Sequence, residues 1–274
     1  GLIDTLKRQW SDAWGARMEH LLRYAILALL AQPGTDLRDI TRLFYDKAFR
    51  SHIIARIDDP QVLEFWTKEF PNMNYKTAVD GVAPIANKLG AFLAHPVIRT
   101  ALCEPAEPIR FRRLMDQQGS LIVNLGKGRL GADTSNVVGG LLLSSIMHAA
   151  FSRYDLPETQ RAPFFLYVDE FHSFSTSALA GMLSEVRKYG LGLVLAHQHI
   201  QQTDNDVFEA IMGNVGTMIV MRIGATDAPM FSRQLDDIPP RDLMNLPNHR
   251  AYVKLMVGGL KSKTFSAVLH PPAI

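Results

Sequence analysis

The sequence predicts an α/β protein, a parallel sheet with helices on both faces, preceded by an all-helical module. Three observations predict it. Up to residue 108 the apolar side chains recur at three- and four-residue spacing, the period of helices that bury one stripe. Beyond a Pro-rich stretch at 104–108 the pattern changes to short, unbroken apolar runs alternating with helical segments, as in strands covered on both faces. One of those runs ends in two adjacent acids, Asp169 and Glu170. The division predicted is therefore an all-α domain at 1–108 and an α/β domain at 109–274.

In the first domain, Trp14, Met18, Leu21, Leu22, Ala25, Ile26, Leu29 and Leu30 form one broad helical stripe that Pro33-Gly34 stops. Thr35 or Asp36 is placed to cap the next helix, which carries Leu37, Ile40, Leu43 and Phe44. Shorter helices are expected at 49–57 and 61–69, with Pro71-Asn72 breaking the series. A longer one at 75–93 contains Pro84, which is expected to kink or split it.

In the second domain, strands are expected at 120–125, 164–168, 191–196 and 217–221, with helices at 136–152, 177–189 and 206–214 between them. Strand and helix alternating in this way predict a doubly wound sheet. The end of the chain, 252–257 and 264–269 around Gly258-Gly259, reads as a hairpin.

Composition limits the functions open to such a chain. With 47% hydrophobic residues it has ample material for real cores, which excludes a disordered or fibrous class. A net charge of +2 does not announce nucleic acid, so any DNA surface must be local. The single cysteine, Cys103, excludes an internal disulfide and reads as a small core residue in a reducing compartment. No apolar run reads as a bilayer span, and no signal peptide is visible. The sequence opens as if in mid-domain, as part of something longer would.

The chemistry is expected where the strand at 164–168 gives way to Asp169 and Glu170. In open α/β sheets ligands bind at the carboxyl ends of the strands. There the first acid of such a pair can hold Mg²⁺ through water and the second can polarise an attacking water. The pair also fits a solvated loop or helix cap. Arg187 lies in the last turn of the following helix, before Gly190, and Gln198 follows the next strand on the same rim as the acids, placed to orient water or sense a terminal phosphate. Alone, the arginine reads as a partner of the helix dipole and the glutamine as a loop residue. The nine histidines fall in no metal-ligand spacing; His172 and His197, flanking the acids and the glutamine, read as satisfied, non-ligating groups. Ser144 and Ser145 lack a nucleophile-elbow context, and Trp10, Trp14 and Trp66 read as helix contacts. The basic stretch Arg110, Arg112 and Arg113 is open to nucleic-acid contact, but solvated bases before a strand are the commoner reading.

Taken in order, the acid pair, a helix ending Arg-Lys-Tyr-Gly, a Gly-containing apolar strand and His197-Gln198 resemble the HerA/FtsK-like ATPases, especially conjugative coupling proteins of the TraG/TraD kind. The resemblance extends to Asn87-Lys88-Leu89, Pro96-Val-Ile-Arg99 and Asn214-Val-Gly-Thr217 leading to Arg222. It implies a RecA-like sheet of the P-loop NTPase class with an inserted all-α domain, ATP and Mg²⁺ as cofactors, and a ring, hexameric by analogy, that pumps DNA. Asp169 then matches the Walker B aspartate, Glu170 the catalytic glutamate, Arg187 an arginine finger acting on a neighbouring subunit, and Gln198 the sensor glutamine. Partners implied are DNA and relaxosome or secretion-system proteins. The expected location is cytoplasmic, at the inner membrane's cytoplasmic face if an N-terminal region anchors it, without membrane contact from this chain itself.

One part of the family pattern is missing. No G-x-x-x-x-G-K-[ST] loop occurs, so nothing in the chain cradles the β- and γ-phosphates. Residues 126–131 supply glycines and bases but no lysine followed by Ser or Thr; Lys127 and Arg129 are instead candidates for DNA phosphate. The chain alone is expected not to hydrolyse ATP. The resemblance also implies a phosphate-binding strand between the strands at 164–168 and 191–196; its absence would leave a gap with unpaired backbone groups that an upstream segment, a distortion of the chain or a partner must fill. Two other readings stand beside the DNA motor: a non-catalytic recognition or assembly fragment, and an ATPase of protein export.

Overall fold

The structure, a computed structural model, describes residues 1–73, 75–174, 183–198 and 205–270, with the backbone alone at 75–79. It divides into two compact units, one formed by Gly1–Arg110 with Leu121–Leu142 and the other by Phe111–Ser120 with Leu143–Ile274.

The first unit is helical where it is regular. Its core is built around the helix Ala16–Leu30, whose Met18, Leu21, Leu22, Ala25 and Leu29 are buried as the spacing requires, while Leu30 is exposed. Past Gly34, which takes a left-handed φ of 81°, Asp36 caps the helix Leu37–Tyr45. Its carboxylate accepts from the Arg38 amide at 2.8 Å, and the Asp39 side chain accepts from the Asp36 amide at 3.0 Å. Thr35 serves the preceding helix, its hydroxyl donating to the Leu29 and Gln32 carbonyls. The helices Lys47–Ile54 and Pro60–Glu64 follow, and helical backbone runs on through a π turn, Phe65–Glu69, to Asn72.

Pro84 does not split the helix Tyr75–Leu93. Val82, Ile85, Leu89 and Phe92 are buried in the same core, and burial of that face outweighs the one lost backbone hydrogen bond. At Gly81 a Cβ would lie 2.3 Å from Leu21, so glycine permits this helix to approach Ala16–Leu30. Trp66 is buried and donates to the Tyr24 carbonyl at 3.2 Å, while Trp14 donates to Glu19 at 2.9 Å, so both are helix contacts. Cys103 is half-buried, short of the core position expected of it.

In the second unit, β1 (Phe164–Val168) and β2 (Leu191–Leu195) pair in parallel with Phe164 opposite Leu191 and Val168 opposite Leu195. Two expectations fail here. No strand intervenes between them, so there is no gap with unpaired groups: the two strands satisfy each other directly. Nor is the pair covered on both faces. Phe164, Leu166 and Leu193 pack with Leu143, Ile146, Met147 and Ala150, whereas Phe165, Tyr167 and Val194 are 61%, 72% and 44% exposed. An unbroken apolar run does not reveal which of its faces is covered, because both faces carry the same residue types.

The other two expected strands also depart from a parallel sheet. Residues 120–125 take no strand pairing among the described residues, and Ile122 is 95% exposed. β3 (Met218–Val220) joins an antiparallel sheet in the order β3-β4-β7 with β4 (Arg250–Lys254) and β7 (Phe265–Val268). Between β4 and β7, β5 (Met256–Val257) and β6 (Leu260–Lys261) close the expected hairpin, with Gly258 and Gly259 both at positive φ.

The helix Ala132–Phe151 is long and apolar enough to cross a bilayer by length and composition, which the sequence reading overlooked. Here Val137, Leu143, Ile146, Met147 and Ala150 lie buried in protein. The helix expected at 177–189 falls at 177–182 outside the described residues; beyond it, Val186–Tyr189 is a 3-10 turn ending at Gly190.

Candidate functional site

The site grows from the carboxyl end of β1. Beyond Val168 the ladder continues with the Ala196 amide donating to the Val168 carbonyl at 2.9 Å. Regular parallel pairing would then send the Glu170 amide to the Ala196 carbonyl, yet that bond comes from Phe171, at 3.2 Å. One extra residue is therefore accommodated at Asp169-Glu170, a bulge of the kind that re-aims side chains. Glu170 absorbs it by adopting a left-handed conformation, φ 49° and ψ 41°, uncommon for a residue with a side chain. Its amide, released from the ladder, donates to Asp169 Oδ1 at 2.9 Å.

Two anchors hold the bulge. Phe171 is buried with Val207 and Ile211 of the helix Asn205–Asn214, and its ring meets the edge of His197 at 5.6 Å between centroids. The second anchor joins the acids to the next strand. Gln198, three residues past β2, donates from Nε2 to Glu170 Oε1 at 2.7 Å. The other carboxylate oxygen, Oε2, lies 3.4 Å from His172 Nδ1. Both oxygens of Glu170 thus face named neighbours, and the carboxylate is oriented while still about one-third exposed.

Of the four residues expected to carry the chemistry, the structure brings together Asp169, Glu170 and Gln198. Arg187 lies elsewhere. It is exposed in the turn before β2, at the amino end of the strand pair, about 16 Å away by strand length alone. Within one chain it does not reach the acids. Lys127 and Arg129 are exposed on the short helix Lys127–Leu130, which belongs to the first unit.

Sequence reasoning did not find the contact of His172 with Glu170, nor Arg112, Arg153 and Arg161. Arg112, read as solvated, grips Asp155 with two hydrogen bonds, 2.9 and 2.7 Å. Arg153 is buried and bonded to Asp116. Only its place in the turn Ser152–Asp155, directly after the apolar helix Ala132–Phe151, could have drawn notice in the sequence.

Among the described residues no group of three or more His, Cys, Asp or Glu side chains is placed to hold a metal. An all-protein metal cage is therefore absent from them, and Asp169, an exposed carboxylate beside Glu170, suits an ion that keeps waters and a ligand's phosphates in its shell.

No family model matches the sequence, and no curated protein matches it. Solved structures do. The plasmid coupling protein TrwB in complex with a non-hydrolysable GTP analogue superposes with a TM-score of 0.64 at 17% identity, over 98% of this chain and 67% of that one. The fold is that of a conjugative coupling protein. The unbound form of the bacterial conjugative coupling protein TrwB superposes with a TM-score of 0.68 at 16% identity, over 98% of this chain and 66% of the other. TrwB with ADP and Mg²⁺ gives 0.64 at 16% identity, with 98% and 67% covered. This chain spans about two thirds of the coupling-protein chains it matches.

Proposed function

We propose that the chain is part of a ring-forming, ATP-driven DNA translocase of the coupling-protein kind. The observation that carries the reading is the 2.7 Å hydrogen bond from Gln198 to Glu170 across the carboxyl end of β1 and β2. It joins an acid and an amide from neighbouring strands at the edge where α/β sheets bind ligands, in the order the resemblance requires. The nucleotide and Mg²⁺ in the TrwB complexes agree with the cofactors proposed here, ATP and Mg²⁺.

The described residues fit half of such a site. Asp169 would hold the hydrated Mg²⁺, and bound ATP would supply the phosphoryl group to be transferred. Glu170 would accept a proton from the attacking water, with Gln198 fixing the carboxylate and, on release, that water. Arg187, remote from the acids of its own chain, would stabilise transferring charge in a neighbouring subunit's site. This explains why the two lie at opposite ends of the strand pair. The phosphate-cradling loop would come from another segment of the complete protein. Lys127 and Arg129 would meet DNA phosphate.

In the complete protein, Glu170→Gln is expected to lower ATP turnover by roughly two to four orders of magnitude while leaving nucleotide affinity in place. Retained turnover would remove Glu170 from the chemistry. The cargo is tested separately. A DNA affinity that falls steeply with salt, together with DNA-stimulated turnover, supports the DNA motor. Absence of both, with turnover intact, favours protein export.

A further inference from the structure

The turn Val186–Tyr189, which presents Arg187, is held by two other arginines. Arg153 is 0% exposed; its Nη1 donates to the Tyr189 carbonyl at 3.0 Å and its Nε to Asp116 Oδ1 at 2.8 Å. Arg161 lies over the Tyr189 ring, 5.1 Å from its centroid, and donates from Nη1 to the Lys188 carbonyl. Its Nε in turn donates to the carbonyls of Arg153 and Leu156 at 3.1 and 3.0 Å. The Tyr189 ring also meets Phe151 edge-on at 5.1 Å. Gly190, at φ 74°, closes the arrangement: a Cβ there would lie 3.2 Å from Arg153 Nη1 and from the Arg161 and Ala162 carbonyls.

Packing alone does not account for this. The terminal carbonyls of a helical turn need outside donors, but one exposed to water finds them there. A buried guanidinium whose Nη2 has no hydrogen-bond partner is a poor stabiliser compared with an apolar side chain of the same volume. What an apolar side chain lacks is a rigid set of donors that fixes neighbouring carbonyls in space. The carbonyls fixed belong to Lys188 and Tyr189, directly after Arg187.

We infer that Arg153 and Arg161 are positioning residues for Arg187, setting the direction in which its side chain leaves the turn toward a neighbouring subunit. The inference rests on the proposed role of Arg187 as a finger acting between subunits. Misplacing such a group by an ångström costs on the order of a hundredfold in rate without weakening substrate binding.

The test uses the complete protein. Arg161→Lys and Arg153→Lys keep the charge and most of the stem but lose the fork of donors. The expected result for Arg161→Lys, the less buried of the two, is a kcat about a hundredfold lower with KM for ATP and Tm little changed. Mixed rings then locate the defect. Subunits carrying Arg161→Lys mixed with Glu170→Gln subunits should recover turnover, because the latter supply a well-placed Arg187 to intact acids. Mixed with Arg187→Ala subunits they should not recover.

An unchanged kcat overturns the inference. So does failure to recover with Glu170→Gln subunits when the control mixture, Arg187→Ala with Glu170→Gln, does recover. If that control itself fails, Arg187 is not a finger in trans, and the proposed function loses that element along with this inference. Should Arg153→Lys fail to fold, Arg161→Lys decides alone.

Discussion

The two ends of the β1–β2 pair are built in opposite ways. At the carboxyl end Asp169 and Gln198 are exposed, and one 2.7 Å hydrogen bond orients Glu170, whose other oxygen lies 3.4 Å from His172. At the amino end, a buried arginine, a second arginine on a tyrosine ring and a left-handed glycine lock the turn after Arg187. The acids stand where a ligand and its waters must come and go; the arginine stands where a fixed direction matters. One end is therefore oriented but open, and the other rigid.

Substitutions can break or sharpen that contrast. The largest effect is expected from Asp116→Ala, which strips the buried Arg153 guanidinium of the carboxylate it is bonded to and should cost about 3 kcal/mol in urea unfolding. A loss near zero would mean that the amino end is not rigid. Next comes Gly190→Ala, expected to cost about 1–2 kcal/mol because the side chain meets both a left-handed φ and three atoms at 3.2 Å. Glu170→Gly should act in the opposite sense. It relieves a left-handed conformation, leaving stability unchanged or raised by about 1 kcal/mol in the same assay while turnover is lost. For Gln198→Ala the expected change is within about 0.5 kcal/mol, and a cost matching that of Asp116→Ala would erase the difference between the two ends.

The smallest effect concerns pH. Arg112 also lies 3.4 Å from the Asp116 carboxylate that holds Arg153, and its hydrogen bonds keep the Asp155 carboxyl below its usual range. A carboxyl depressed in the folded state contributes stability that is complete above its unfolded value and lost as pH falls toward the folded one. Protection of the amides at 186–190, taken relative to their intrinsic exchange rate at each pH, should therefore fall below about pH 4, and Asp155→Asn should remove that acid dependence. The same dependence surviving in Asp155→Asn would take Arg112 and Asp155 out of the support of this end.

The legible part of the site was the part that is local in sequence. Asp169-Glu170 ends an apolar run, and Gln198 ends another at the same height, so a parallel pair brings them together wherever its helices lie. The bulge was not legible, since one residue too many appears only when the partner strand's hydrogen bonds are traced. Nor was the grip on the Arg187 turn, made by Arg153 and Arg161 from segments far back in the chain. For the fold, Asp36 and Gly34 announced their helix boundary because caps act within a few residues. Residues 120–125 misled because strand formation needs a partner that composition does not name, and in β1 the same ambiguity hid an exposed face behind Phe165 and Tyr167.

The extra residue at Asp169-Glu170 makes chain length itself a determinant of the site. Removing one residue between Val168 and Phe171 would let the ladder run on in regular register, and the remaining acid would follow the alternation of the strand instead of turning toward Gln198. Two chains of the same chemistry but unequal spacing at this point would therefore not be functional equivalents. The indel, more than the point substitution, is the change that this corner of the protein is least able to absorb.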